Sequence, residues 1–109
     1  GIEIGAIKES AKVCNQLGHV AKHQGNLTQA LSHHRKALYL LEMASERRFE
    51  YFQTLSNLAN IYASLKEYNY ATHLFRYAFK GLRRDVSSHH VSLSKILHNW
   101  GNVLSCVNQ

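Results

Sequence analysis

Leu17-Gly18 and Ala21, then Gly25-Asn26-Leu27, then Ala30: within residues 17–30 these positions decide the fold. Cys14, Leu17, Gly18 and Ala21 keep the i, i+3, i+4, i+7 spacing of one helical face. Gly25-Asn26 breaks it with a turn, because Gly tolerates the left-handed conformation and Asn often joins it there. Leu27, Ala30, Leu31, His34, Ala37, Leu38 and Leu41 restart the helical period. A shift of 41 residues reproduces the stretch, placing Leu17 on Leu58, Gly18 on Ala59, Val20 on Ile61, Ala30 on Ala71 and Ala37 on Ala78. A further shift of 42 places Leu55 on Leu97, Asn57 on Asn99, Leu58 on Trp100, Ala59 on Gly101 and Asn60 on Asn102.

Each unit therefore reads as a pair of helices. The second unit has the stripe Leu55, Leu58, Ala59, Tyr62, Leu65, a turn at Lys66-Glu67, and the stripe Tyr68, Ala71, Phe75, Ala78, Phe79, Leu82. The third offers Leu97, Trp100, Gly101, Leu104 and Val107. The spacing predicts an all-α chain with helices at about 6–24, 27–47, 50–66, 68–84 and 90–107. Small residues such as Gly18, Ala21, Ala30 and Ala37 mark close helix crossings, and Leu17, Phe75 or Trp100 fill the remaining space. The units are about 11–48 and 52–88, with a half unit at about 90–109. The third unit stops at Gln109 without its second helix, so residues 1–109 are expected to be one domain and part of a longer protein.

Composition bounds the rest. A chain of 109 residues with 45% hydrophobic residues suits one packed domain. Thirteen Lys and Arg against seven Asp and Glu leave +6, with eight His in reserve, which favours acidic partners. The apolar runs are far short of the ~20 residues a bilayer span needs, and no secretory leader is expected at the start. Cys14 and Cys106 are too few for a disulfide scaffold and point to a reducing compartment, cytoplasmic or nuclear.

The order Leu17-Gly18, Ala21, Gly25-Asn26-Leu27, Ala30, Ala37 resembles the tetratricopeptide repeat signature. The second unit repeats it as Leu58-Ala59, Tyr62, Glu67-Tyr68, Ala71, Phe75, Ala78, and the third contributes Trp100-Gly101. Two features depart from the pattern: the proline closing the second helix is absent, and the period is 41–42 residues against ~34. Longer helices absorb the difference, as in long-repeat varieties such as the kinesin light chain, to whose linker His90 through Trp100 is loosely similar. The resemblance implies a right-handed superhelix of two and a half helical hairpins that holds a peptide in its concave wall.

The polar residues left over by the core stripes are where such a peptide would lie. Lys12, Asn15, Gln16, His19, Lys22 and His23 share one face of the first helix. The same register gives Gln53, Ser56, Asn57, Asn60 and Ser64 on the third helix, and Lys95, His98, Asn99, Asn102 and Ser105 on the fifth. These faces hold no acid, and amides both donate to and accept from a peptide backbone. The expected peptide-binding residues are therefore Lys12, Asn15, Gln16, His19, Lys22, Gln53, Asn57, Asn60, Lys95, Asn99 and Asn102, the lysines favouring an acidic ligand. Histidine protonation near neutral pH would add charge to this wall.

Other readings are weaker. The two-carboxylate clamp that some family members use on chaperone tails needs five residues, of which only Asn57 and Lys95 are present; Asn15, His19 and Asn99 stand at the other positions. His19 and His23 have the i, i+4 spacing of a shared zinc, but no Cys, Asp or Glu on that stripe completes a ligand set, so no metal or other cofactor is expected. Arg76, Lys80, Arg83 and Arg84 form a basic stripe suited to nucleic acid or acidic membrane. Without exposed aromatics among them, they read first as cations complementing a helix C-terminus. No nucleophile–base pair or phosphate loop is present, so the chain reads as an interaction module and not an enzyme. The unfinished third unit leads us to expect weak self-association, and a purely structural spacer is the remaining alternative.

Overall fold

A computed structural model describes residues 3–108. The elements are α1 (Ile4–His23), α2 (Leu27–Met43), α3 (Phe49–Ser64), α4 (Tyr68–Leu82) and, after a 3₁₀ turn at Arg83–Asp85, α5 (Val86–Val107). No strand occurs among the described residues. The helix α5 begins four residues earlier than its periodicity predicts and bends at His89 (φ −122°, ψ 16°).

The three turns use one device. After α1, the Gly25 amide donates to the Lys22 carbonyl (3.0 Å) and the Asn26 amide to the Ala21 carbonyl (2.9 Å), with Gly25 left-handed at φ +80°. The same pair of bonds closes α2 around Ser45 (φ 54°) and α3 around Lys66 (φ 65°). This double bond pattern satisfies carbonyls that the helix end leaves unpaired and requires one left-handed residue. The Asn26 side chain then caps α2 by accepting from the Gln29 amide (3.0 Å).

Within each hairpin the small residues lie at the crossings, as their spacing predicts. Ala30, Ala37, Ala71 and Ala78 are fully buried, as are Phe75 and Leu82. The pattern Ala30, His34, Ala37, Leu41 on α2 recurs 41 residues later as Ala71, Phe75, Ala78, Leu82 on α4. Packing joins α1 to α2 and α3 to α4 as hairpins, with α2 against α3 and α4 against α5 between them. The resulting slab measures 51 × 33 × 19 Å, and its thinnest dimension is about two helix diameters, as a stack of hairpins requires.

The odd-numbered helices differ from the single apolar stripe read above. The central helix α3 is apolar on two faces: Tyr51, Thr54 and Ile61 on one, Leu55 and Ala59 on the other, all buried. At the positions of the first set, α1 carries Val13 and Val20, both exposed, whereas its second set, Cys14, Gly18 and Ala21, is buried. The helix α5 does the opposite, burying Leu93, Ile96 and Val103 and exposing Leu97 and Leu104. Leu17 (46% exposed) and Leu97 (52%) therefore leave the predicted core, although their counterparts Leu58 (3%) and Leu55 (5%) are inside it. One face of each such helix meets the preceding hairpin and the other meets its own partner. Among the described residues α1 has only the second neighbour and α5 only the first.

Candidate functional site

At the end of the slab where α1 and α3 finish, α4 begins and α5 closes, a pocket of about 340 Å³ opens. Lys22, Asn60, Ser64, Asn99 and Asn102 form its polar lining, with Ala63, Tyr68, Val103 and Cys106 as the apolar part. Helical spacing explains the grouping. Asn60 and Ser64 lie one turn apart on α3, Asn99, Asn102 and Cys106 follow the i, i+3, i+7 face of α5, and Lys22 reaches in from the last turn of α1. Three lining amides and one ammonium face the space, with no carboxylate. Such a lining pairs with backbone carbonyls and amides and favours negative charge nearby.

Four of the expected residues, Lys22, Asn60, Asn99 and Asn102, thus come together. Lys12, Gln16, His19 and Lys95 are exposed but outside the pocket, and Gln53 is half-buried, donating to the Asn57 side-chain oxygen (3.4 Å). Asn15 and Asn57 are the corrections: both are buried, so the polar face is not continuously solvated. Helix α3 is packed from both sides, and the register that gives Asn60 to solvent gives Asn57 to its neighbours. Tyr68 and Cys106 escaped the sequence reading because each lies just off the polar stripe.

Asn15 has a structural task instead. Its side-chain oxygen lies 2.7 Å from His34 Nδ1, and its amide donates to Thr54 Oγ1 (2.8 Å) and Glu50 Oε1 (3.2 Å). Because the amide nitrogen is spent on α3, the oxygen must accept, so His34 carries its proton on Nδ1. Thr54 in turn donates to the Glu50 carbonyl (2.8 Å). The chain His34–Asn15–Thr54 stitches α2, α1 and α3 together through polar groups that burial would otherwise penalise. Gly18 makes room for it, since a β-carbon there would fall within 2.5 Å of His34 Nε2.

Burial, then the charges of His19, Lys22 and His33, pushes His34 down to about 4. Partial burial, followed by Lys22 and His23, also lowers His19 below its ordinary value, and its ring meets His34 edge-on at 5.2 Å. The expected gain of wall charge near neutral pH is therefore overturned for these two: both hold their neutral form to lower pH. Among the described residues no three His, Cys, Asp or Glu side chains gather into a metal-ligand set. Cys14 is buried and Cys106 exposed, both as free thiols.

The basic stripe is also rearranged. The Arg76 guanidinium turns to α5 and lies over the Trp100 ring at 6.0 Å. Lys80 and Arg84 border a separate recess with Phe52, Tyr77 and Gly81. Tyr70 (51%), Tyr77 (53%) and Phe49 (41%) are exposed, so aromatics do accompany these cations, contrary to the reading from spacing. No helix among the described residues is long and apolar enough to cross a membrane.

The architecture defines a class, a stack of helical hairpins with an internal repeat of 41–42 residues. Residues 10–48 match the family model described as tetratricopeptide repeat, so the first hairpin is a repeat of that type. No curated protein and no solved structure matches the chain.

Proposed function

We propose that the chain is a protein–protein interaction module that holds an extended, acidic peptide against α1, α3 and α5. Repeats of the tetratricopeptide type generally serve protein–protein interaction. The observation that carries the finer reading is the convergence of Lys22, Asn60, Asn99 and Asn102 on one acid-free pocket. The amides take the main chain of the peptide, and Lys22, with Lys12 and Lys95 outside the pocket, attracts its acidic side chains.

Asn57, buried beneath the wall, supports Gln53 instead of touching the ligand. The test is selection from a displayed library of acidic peptides. The wild-type chain should enrich a binding sequence. Asn60→Ala with Asn102→Ala should weaken the selected peptide by about 1–3 kcal/mol per unpaired group. Arg83→Glu with Arg84→Glu, at the other end of the slab, should leave its affinity unchanged. Enrichment that depends on the arginines and not on the asparagines would remove the function from this wall.

A further inference from the structure

At the opposite end of the hairpins, where α2 passes into α3 and α4 into α5, two adjoining recesses of about 230 and 210 Å³ share Phe52, Gly81 and Arg84. Phe52 forms the floor because residue 81 is glycine: a β-carbon there would lie inside the phenyl ring. Glycine inside a helix costs about 1 kcal/mol relative to alanine. Leu40 stands at this position in the first hairpin, so the glycine is not a demand of the repeat.

Rings and cations alternate around this floor. Tyr77 stands beside Phe52, with centroids 6.1 Å apart, and Phe49 stacks on His89 at 4.8 Å with its ring 17° from parallel. Lys80 and Arg84 flank one recess, and Arg47 and Arg48 flank the other. The acids nearby are engaged. Glu46 is bound by Lys8 (3.1 Å) and Arg48 (2.9 Å), and Asp85 accepts from the Ser88 amide (3.3 Å) and the Ser87 hydroxyl (3.1 Å). Among the described residues, Arg47, Lys80 and Arg84 have no carboxylate within ion-pairing distance. The recess continues along α4 as the exposed series Tyr70, His73, Tyr77, Lys80, Arg84, one residue per turn on a single face.

We propose that this cleft binds single-stranded nucleic acid, with Tyr77 and Phe49 stacking on bases and Arg47, Lys80 and Arg84 holding phosphates. Cations complementing a helix end require no exposed rings between them, whereas base stacking combined with a positive track requires both. An acidic peptide would satisfy the cations but supplies no flat face at each step. An anionic bilayer presses on a broad surface and does not enter a recess. The cleft shares no residue with the amide pocket.

The experiment is fluorescence anisotropy of a labelled oligothymidine, titrated with the wild-type chain at several salt concentrations. Tyr77→Ala should weaken binding roughly 5- to 100-fold with the salt slope unchanged, because it removes a stacking face and no charge. Tyr77→Phe should bind as wild type. Lys80→Ala with Arg84→Ala should reduce the slope of log K against log salt by about two, one per lost phosphate contact. Asn60→Ala with Asn102→Ala should change nothing here, which separates this site from the peptide wall. Absence of saturable oligothymidine binding at low salt would overturn the proposal. So would equal affinity of wild type, Tyr77→Ala and Tyr77→Phe with full competition by polyglutamate or phosphatidylserine vesicles, since the surface would then read charge alone.

Discussion

Position 34 shows how one residue type decides the character of a hairpin. It sits 41 residues before Phe75, and both are buried on the same face of the second helix of their unit. In the second unit the ring packs; in the first it anchors Asn15 and, through it, Thr54. The burial of His34 was legible, since it falls within an apolar stripe. Its partner was not, because Asn15 belongs by spacing to the polar face and only the approach of α3 draws it inside. The consequence is a pH dependence. His34 titrates at about 4 in the fold and near 6.5 when unfolded, so the unfolded chain takes up the proton first. Its contribution is complete above the unfolded value and is lost as pH falls from about 6.5 to 4, by at most about 3 kcal/mol. Denaturation of His34→Phe across this window should show a flatter stability profile than wild type. Parallel profiles would mean that His34 does not titrate as a buried neutral group.

At the scale of the element, the helices and their turns were legible and the partition of their faces was not. Periodicity finds apolar residues at helical spacing but cannot say whether a neighbour exists to cover them. Leu17 and Leu58 are read identically from spacing, yet only Leu58 has a preceding hairpin against it. The turns are more local and so more readable: Gly25 announced its left-handed conformation, and Lys66 adopts the same conformation without the glycine that would ease it. A side chain in that region costs roughly 1–2 kcal/mol. Lys66→Gly should therefore stabilise the chain by up to about 1 kcal/mol after the greater freedom of glycine in the unfolded chain is subtracted, as a rise in melting temperature. No rise, or a fall, would show that the Lys66 side chain contributes more than its strain costs.

The whole molecule is a slab with an uncovered apolar stripe at each end, Val13, Leu17 and Val20 on α1 and Leu97 and Leu104 on α5. Gly101 stands where Ala59 packs in the second unit, and nothing lies within 4 Å of where its β-carbon would be. Solenoids protect such ends. In this chain the faces should produce concentration-dependent self-association by light scattering, which Leu97→Ser with Leu104→Ser should reduce; a strict monomer at high concentration would contradict it. The amide wall was partly legible from the recurrence of Asn57, Asn60, Asn99 and Asn102, while its narrowing to the end of the slab follows from the packing of α3 on both sides. That wall is the central claim, and the side-chain amide signals in a nitrogen–proton NMR spectrum test it most directly. On addition of the selected acidic peptide, the Asn60, Asn99 and Asn102 NH₂ pairs should shift while the Asn15 pair, locked to Thr54 and Glu50, stays in place. Shifts confined to Arg47, Lys80 and Arg84, with the three asparagine pairs unmoved, would contradict the account.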